Sequence, residues 1–144
     1  MLEVYFTAPS RDLWPTRKHG AAGFDLRCAE TVELPPHASR IVKTCVRIAF
    51  PNGVAGLVIP RSSWRLKGII CLALFDPGFD GEVNPVVTNL NAHPLTIEEG
   101  ERFAQLLFLS PKEVVLIPSD GETITYLNSQ FTERGSHGLG STGR

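Results

Sequence analysis

The sequence predicts an all-β domain, and two features of the chain carry this prediction. Eleven prolines and thirteen glycines separate short segments that are apolar or that alternate apolar with polar residues, which is typical of many short strands joined by turns. The chain has 144 residues, enough to bury a core without disulfides or a structural metal. We therefore expect one β-sandwich or barrel with no internal repeat.

Ten segments are predicted to be strands. They are residues 3–7, 23–28, 31–34, 39–49, 55–59, 69–72, 82–89, 95–97, 103–110 and 114–117. In the longest of them, Val42, Thr44, Val46 and Ile48 should share one face, because side chains alternate along a strand. Pro85 lies inside an apolar segment and predicts a sheet edge or a bulge there.

One helix is predicted, and the end of the chain is predicted to be an extended arm. Ser62 or Ser63 should cap a single turn that Gly68 ends. From about Asp120 onward the sequence is polar and has no sustained period. We therefore divide the chain into a β domain of residues 1–120 and an arm of residues 121–144.

The charge balance argues against nucleic-acid and membrane partners. Fourteen Lys and Arg residues against fifteen Asp and Glu give a net charge of −1, so no overall field attracts DNA, RNA or an anionic membrane. No apolar run is long enough to span a membrane, and the first residues lack the pattern of a signal peptide. We expect a cytoplasmic protein in which any anion site is local.

The cysteines and histidines do not suggest a disulfide framework or a zinc site. Cys28, Cys45 and Cys71 are odd in number, widely spaced and set among apolar residues, which favours reduced and mostly buried thiols. No Cys-x-x-Cys or His-x₃-His pair occurs, and the four histidines are scattered.

The last eleven residues, RGSHGLGSTGR, have the composition of a phosphate-binding segment. Glycines allow consecutive backbone N–H groups to converge on phosphate oxygens, Ser and Thr hydroxyls add donors, and Arg adds a charged pair of donors. The alternative is a flexible terminal linker, which has a similar composition.

Two clusters earlier in the chain are also compatible with an anion site. AAGFDL, residues 21–26, places Asp25 among apolar residues, where a carboxylate needs a cation or a hydrogen-bond donor. PRSS, residues 60–63, places Arg61 and two hydroxyls at a helix start, where phosphate is favoured. The alternatives are a structural Asp bonded to loop amides and a simple helix cap.

Two further clusters complete the set. In LFDPGFDGE, residues 74–82, Asp76 precedes a Pro-Gly turn and is a candidate general base for a water molecule. Asp-Pro-Gly is also a common turn, so by itself it indicates little. GERFAQL, residues 100–106, places Arg102 and Gln105 on an apolar strand, where such side chains are often surface pairs.

Taken together and in order, AGFDL, PRSS, FDPGFDGE, GERFAQL and RGSHGLGSTG resemble the five motifs of the trimeric dUTP pyrophosphatases, the dUTPases. The resemblance spans residues 22–143. It implies a β jelly-roll barrel with one short helix and an extended C-terminal arm exchanged between copies. It also implies a homotrimer in which each of the three sites draws on all three subunits.

The resemblance implies hydrolysis of dUTP to dUMP and pyrophosphate, which lowers dUTP and supplies dUMP for dTTP synthesis. Mg²⁺ is expected as the cofactor, held mainly by the triphosphate and water, with no dedicated protein ligands. The only small-molecule partner implied is the dUTP substrate.

The resemblance also implies a role for each matching residue. Asp76 would activate the water that attacks the α-phosphorus, with Ser62 on the phosphate chain and Gln105 facing the phosphates or the water. Asp25 would lie one layer further from the substrate and act through these groups. The substrate-binding residues implied are Arg61, Ser63, Phe79, Arg134, Leu139, Gly140, Ser141 and Thr142.

Four positions depart from the usual pattern of that family. Phe79 replaces a tyrosine that packs on the deoxyribose, Leu139 replaces an aromatic residue that covers uracil, and His137 replaces a small residue. Residues 68–76 are shorter than the family's hairpin, whose backbone reads the base. Base selectivity is the inference that these departures affect most.

Two rival interpretations remain open. The DPGF turn also resembles that of dCTP deaminases, but those enzymes need a glutamate on the next strand, about where Val86 stands here. A bifunctional deaminase and diphosphatase is a variant of this reading. The other rival is a dUTP-sensing regulatory protein without turnover.

Overall fold

Short antiparallel strands make up most of the regular secondary structure in this computed structural model, which describes residues 1–131. The strands are β1 (Tyr5–Thr7), β2 (Phe24–Arg27), β3 (Val32–Leu34), β4 (Ser39–Ile41), β5 (Arg47–Ala49), β6 (Ala55–Pro60), β7 (Ile69–Cys71), β8 (Ala73–Phe75), β9 (Val86–Asn89), β10 (Leu95–Ile97) and β11 (Arg102–Leu109). The all-β prediction is confirmed, and the architecture is that of a jelly roll.

The strands form four antiparallel sheets within the described residues. The largest sheet has the order β2-β11-β6-β8, and a second has the order β4-β9-β7. β1 pairs with β5, and β3 pairs with β10. Strand β11 is central, because it pairs with β2 on one side and with β6 on the other.

Side chains from every strand except β1 and β4, whose residues are exposed, contribute to one core. Phe103, Leu26, Leu34, Val58 and Leu106 are fully buried. The predicted alternation in residues 40–50 is confirmed, because Val42, Thr44, Val46 and Ile48 are buried and the residues between them are exposed or half-buried. Burial of such side chains is the main favourable term in folding.

The strand predicted over residues 39–49 is interrupted. Its two ends form β4 and β5, and between them Cys45 has a φ of +56°. This left-handed conformation breaks the ladder, and a cysteine gives no sequence signal for it. The strand predicted at 114–117 is wrong, because Val114 to Ile117 are exposed and have no strand assignment.

The short helix is confirmed, but its predicted cap is not. Helix α1 spans Ser62–Leu66, and its N-cap is Arg61, which makes no side-chain capping bond. The backbone of Arg61 is still extended and its N–H donates to the Phe103 carbonyl at 3.0 Å, so the helix begins at Ser62, one residue earlier than a cap at Ser62 requires. Gly68 ends it with a φ of +94°, as predicted.

A second helix corrects the prediction of an extended arm. Helix α2 spans Gly121–Phe131. Asp120 caps it by accepting bonds from the Thr123 N–H at 2.8 Å and the Thr123 hydroxyl at 3.1 Å. The prediction rested on the polar sequence and its lack of a sustained period, and it overlooked the Asp cap.

The chain divides into two units, residues 1–111 and the part from Lys112 onward. The first contains every strand described above and α1, and the second contains α2. Neither helix within residues 1–131 is long and apolar enough to cross a membrane.

Candidate functional site

Five of the residues predicted from the sequence line one open cavity of about 350 Å³. They are Asp25, Arg61, Ser62, Ser63 and Gln105. Asp25 lies on β2, Gln105 lies on β11, and the other three lie where β6 passes into α1. Three of the five predicted motifs therefore meet in one place, because β11 pairs with both β2 and β6.

A β-bulge in β11 places the side chains of Arg102 and Gln105 on the same face of the sheet, the face that borders the cavity. Residues three apart in a regular strand point to opposite faces, yet both Arg102 and Gln105 are half-buried while Phe103 and Ala104 between them are buried. The pairing with β2 shifts register between Arg102 and Ala104. The extra residue, Phe103, enters the core and returns Arg102 to the face that carries Gln105.

Asp25 bridges two arginines at the back of the cavity. Its Oδ1 lies 3.3 Å from Arg61 Nε, and its Oδ2 lies 3.4 Å from Arg102 Nη1. The Asp25 side chain is only 18% exposed. Because charges that are largely removed from water need a partner of opposite sign, Asp25 serves as the counter-charge for both guanidinium groups. The prediction that Asp25 requires a cation is confirmed by this geometry.

The backbone and a second contact fix Arg61 further. Its N–H donates to the Phe103 carbonyl at 3.0 Å, and its Nη1 donates to the Arg102 carbonyl at 3.4 Å. The Phe103 carbonyl therefore fixes the Arg61 backbone, and Asp25 and the Arg102 carbonyl hold one side of its guanidinium group. The geometry leaves Ser62 and Ser63, both exposed, beside the same opening.

Gln105 is positioned by a glycine on the neighbouring strand. It stands directly opposite Asp25 in the β2–β11 ladder. A Cβ added at Gly23 would lie 2.9 Å from Gln105 Oε1 and 3.2 Å from the Leu106 carbonyl oxygen. Glycine at position 23 is therefore required for the Gln105 side chain to lie where it does.

Asp76 and Phe79 lie together on a type II turn that follows β8. The Phe79 N–H donates to the Asp76 carbonyl at 3.0 Å, and Gly78 has a φ of +82°, which fits Pro at the second and Gly at the third turn position. The Phe79 ring packs on Phe75 with a centroid distance of 4.9 Å. Asp76 is exposed.

Within one copy of the chain, Asp76 is far from the cavity. Phe75 pairs with Gly56 near the start of β6, whereas Arg61 follows the other end of the same strand. Asp76 is thus level with Ala55, six positions before Arg61, a separation of roughly 20 Å along the strand. The expected meeting of Asp76 with Arg61 and Gln105 does not occur inside a single protomer.

The segment before Asp76 is short, as the sequence predicts. Strand β7 ends at Cys71 and β8 begins at Ala73, so a single residue, Leu72, connects them. The two strands belong to different sheets, and Leu72 is the point at which the chain passes from one sheet to the other. No loop is available there to fold over a nucleobase.

The predicted residues of the arm lie outside the described part of the chain. They are Arg134, His137, Leu139, Gly140, Ser141 and Thr142. Their assignment to the substrate stays a prediction.

The residue that sequence reasoning undervalued is Arg102. It was noted only as a member of a motif, yet it shares Asp25 with Arg61 and offers its carbonyl to Arg61. A signal existed, because a charged residue three positions before Gln105 on an apolar strand implies either an exposed face or a bulge. Within residues 1–131 no group of three His, Cys, Asp or Glu side chains could hold a metal ion.

Comparisons with known proteins identify the family of this chain. The dUTPase family model matches residues 10–143. The chain is 36% identical to the deoxyuridine 5'-triphosphate nucleotidohydrolase of Candida albicans over 99% of its own length and 88% of that protein. It is 40% identical to the Corynebacterium diphtheriae protein of the same name, covering 90% of this chain and 84% of that one.

A solved structure has the same fold. The dUTPase of Staphylococcus bacteriophage 80alpha, in complex with dUPNHPP, superposes with a TM-score of 0.78 at 24% identity, with all of both chains covered. Since the family model and the sequence relatives both span nearly the whole chain, this protein belongs to the dUTPase family.

Proposed function

We propose that this protein is a dUTP diphosphatase that hydrolyses dUTP to dUMP and pyrophosphate. The observation that carries the proposal is the cavity in which Asp25, Arg61, Ser62, Ser63 and Gln105 meet. Its donors suit a chain of phosphates, and relatives that are 36–40% identical are named for this activity. Phosphoryl transfer depends mainly on positioning and on neutralising charge, which this arrangement can supply.

Each cavity residue has a defined task in this proposal. Arg61 binds phosphate oxygens, and Asp25 fixes its orientation so that little side-chain entropy is lost on binding. The Ser62 hydroxyl and the Ser63 backbone donate to the phosphate chain. Gln105 faces the phosphates or the attacking water.

Asp76 orients and deprotonates the water that attacks the α-phosphorus in line, and pyrophosphate leaves. Because Asp76 is roughly 20 Å from Arg61 in its own copy, a second copy of the chain must supply it. We propose a homotrimer with shared sites, in which the arm of residues 121–144 closes on a site of another copy. Arg134, Ser141 and Thr142 then bind the γ-phosphate, with Leu139 over the base and Gly140 allowing close backbone approach.

An exposed apolar surface supports association between copies. Ile41 and Val86 face each other across β4 and β9 and are 64% and 51% exposed. Ile70, Leu72 and Leu74, on the edge segment that runs through β7 and β8, are 51%, 72% and 63% exposed. Exposed apolar side chains on neighbouring strands of this kind favour an interaction surface.

The cavity suits a metal that arrives with the nucleotide. Both Asp25 oxygens are engaged by arginines, and the other lining residues present guanidinium, hydroxyl and amide groups. Mg²⁺ would therefore be held by phosphate oxygens and water, and when bound it would neutralise charge on the departing pyrophosphate. A solved relative is described as coordinating a structural Mg(II) ion, in a dUTPase from phage phi11 of S. aureus.

Phe79 gives selectivity for the sugar. Its ring is held between Phe75 and Gly81, where an added Cβ would lie 3.0 Å from the ring. A ring fixed in this way excludes a 2′-hydroxyl by sterics and needs no phenol oxygen. We therefore expect UTP to be a poor substrate.

The activity is tested with deoxynucleoside triphosphates and UTP in the presence of Mg²⁺, assayed for pyrophosphate and for ammonia. Pyrophosphate from dUTP supports the proposal, and its absence contradicts it. Ammonia from dCTP would identify a deaminase, but Val86 is an exposed aliphatic residue where that chemistry needs a carboxylate. Binding of dUTP without either product would identify a sensor.

The shared site is tested by mixing two inactive variants. Asp76→Asn and Arg61→Ala should each be inactive alone. When coexpressed in equal amounts they should recover about one quarter of wild-type activity, because one site in four then combines intact residues from two copies of a symmetric oligomer. The double variant coexpressed with Arg61→Ala is the control. No recovery in the mixture would contradict shared sites.

A further inference from the structure

The loop that carries Asp76 and Phe79 is anchored at its ends. It begins where β8 leaves its pairing with β6. It returns to the sheet at Val83, whose N–H donates to the Val46 carbonyl at 2.8 Å. Residues 76–80 between these points are exposed, so core packing contributes little to the position of Asp76.

One ion pair ties the middle of this loop to a strand. Arg47 Nε donates to Asp80 Oδ1 at 2.9 Å, and Arg47 Nη2 donates to the same oxygen. Arg47 is fixed at its backbone, because it pairs with Thr7 in the β1–β5 ladder and forms an isolated bridge with Glu82. The guanidinium is therefore held on a strand and reaches out to the loop.

Asp80 follows Phe79 directly and stands four residues after Asp76. The Phe79 ring lies between Phe75 and the backbone at Gly81. Displacement of Asp80 would move Gly81 and release the ring from this slot. It would also loosen the turn that the Phe79 N–H closes on the Asp76 carbonyl.

We infer that Arg47 is a positioning residue for hydrolysis, which acts through Asp80 to hold Asp76 and Phe79 in place. This inference rests on the proposed function. Arg47 does not line the cavity of Arg61, Ser62 and Gln105, so it should affect the placement of Asp76 and leave phosphate binding intact. Misplacement of a reacting group by about an ångström can slow a reaction strongly even when substrate still binds.

The size of the effect follows from the exposure of the pair. The Arg47 side chain is 57% exposed and that of Asp80 is 74% exposed. The interaction energy of ion pairs with this exposure corresponds to a change in kcat of about two- to fivefold. Because salt screens exposed charges, kcat at saturating dUTP should fall as ionic strength rises. The same salt series should have little effect on a variant that already lacks the pair.

The kinetic test compares Arg47→Gln, Asp80→Asn and the charge-reversed pair Arg47→Asp with Asp80→Arg. Each single variant should lower kcat about two- to fivefold with KM nearly unchanged, and the reversed pair should recover most of the loss. Thermal unfolding of every variant accompanies the kinetics. A lower melting temperature with kcat unchanged, or a reversed pair no better than the single variants, would overturn the inference.

Amide hydrogen exchange gives a readout that does not depend on activity. The Phe79 N–H closes the turn, so its exchange should be faster in Arg47→Gln than in the wild type, while that of Val83 stays slow. Unchanged protection of Phe79 would overturn the inference. A wild type that turns over no dUTP would instead contradict the proposed function, and the exchange result would still decide the anchoring.

Discussion

Replacing Asp25 with Asn removes the charge that holds two arginines together at the cavity. The amide keeps the shape of the carboxylate but leaves Arg61 and Arg102, at 3.3 Å and 3.4 Å, without a counter-ion. Hydrogen bonds to charged groups contribute about 1.5–3 kcal/mol each. The arginine side chains are 28% and 34% exposed, so we take a lower total of about 2 kcal/mol for the pair.

A loss of about 2 kcal/mol corresponds to a fall of roughly 6 °C in melting temperature for a domain of this size. Arg61 also loses its orientation, so we expect kcat for dUTP to fall about 10- to 100-fold. Thermal unfolding and steady-state kinetics measure the two effects. Asp12→Asn is the matched control, because it removes the same charge from an exposed position outside the cavity.

A bound anion should partly replace the missing carboxylate. Inorganic triphosphate brings negative charge to the two arginines, so it should raise the melting temperature of Asp25→Asn by more than it raises that of the wild type. This sign separates an electrostatic role from a packing role. A ligand-induced shift no larger than in the wild type, together with an unchanged melting temperature of the free variant, would refute the reasoning.

Three further predictions follow from particular residues. Gly23→Ala should push Gln105 aside, since the new Cβ would lie 2.9 Å from Gln105 Oε1, and kcat should fall by roughly tenfold; Gly121→Ala, where a Cβ meets nothing within 4 Å, should not change kcat. Burial raises the pKa of the Cys71 thiol from 9.0 to about 12. The stability that depends on the protonated thiol is fully present below pH 9.0, so the free energy of unfolding should decline as the pH rises from 9 towards 12. In a urea-unfolding series, Cys71→Val should show a shallower alkaline decline, and an identical slope would contradict this assignment. Only Leu72 lies between β7 and β8, so we expect kcat/KM for dUTP to exceed that for dCTP by less than about 10³-fold. A pocket that hydrogen-bonds its substrate reaches about 10⁴- to 10⁵-fold. A larger ratio would show that another element recognises the nucleobase.

The chemistry of the site could be predicted from the sequence, because it depends on residue types. Asp25 on an apolar strand needed a cation, and the structure supplies Arg61 and Arg102. A Pro-Gly turn was expected after Asp76, and it forms as a type II turn in which Gly78 has the required positive φ. Each of these inferences uses only a residue and its chain neighbours.

The features that could not be predicted depend on pairing between distant strands. The bulge at Phe103 appears only as a register shift between β2 and β11. The left-handed Cys45 and the Arg61 cap follow from how β5 and β6 are held by their neighbours, and their own side chains give no signal for either. Helix α2 was missed for a local reason, since the segment has no sustained period and the Asp120 cap was overlooked.

In the proposed homotrimer, the length of β6 explains why each site draws residues from more than one copy of the chain. The strand begins beside β8, which delivers Asp76, and ends at Pro60, which delivers Arg61 to the cavity. Both ends are fixed by ladders, so no loop movement within a copy can close a gap of roughly 20 Å. A shorter β6 would bring the proposed general base, Asp76, close to the cavity within one copy. It would also remove the pairing of Gln105 with Ile59, which positions the proposed phosphate-binding groups. The same strand pairing that builds the cavity therefore excludes Asp76 from it within one copy, and under the proposed function association of copies would bring Asp76 and the cavity residues together.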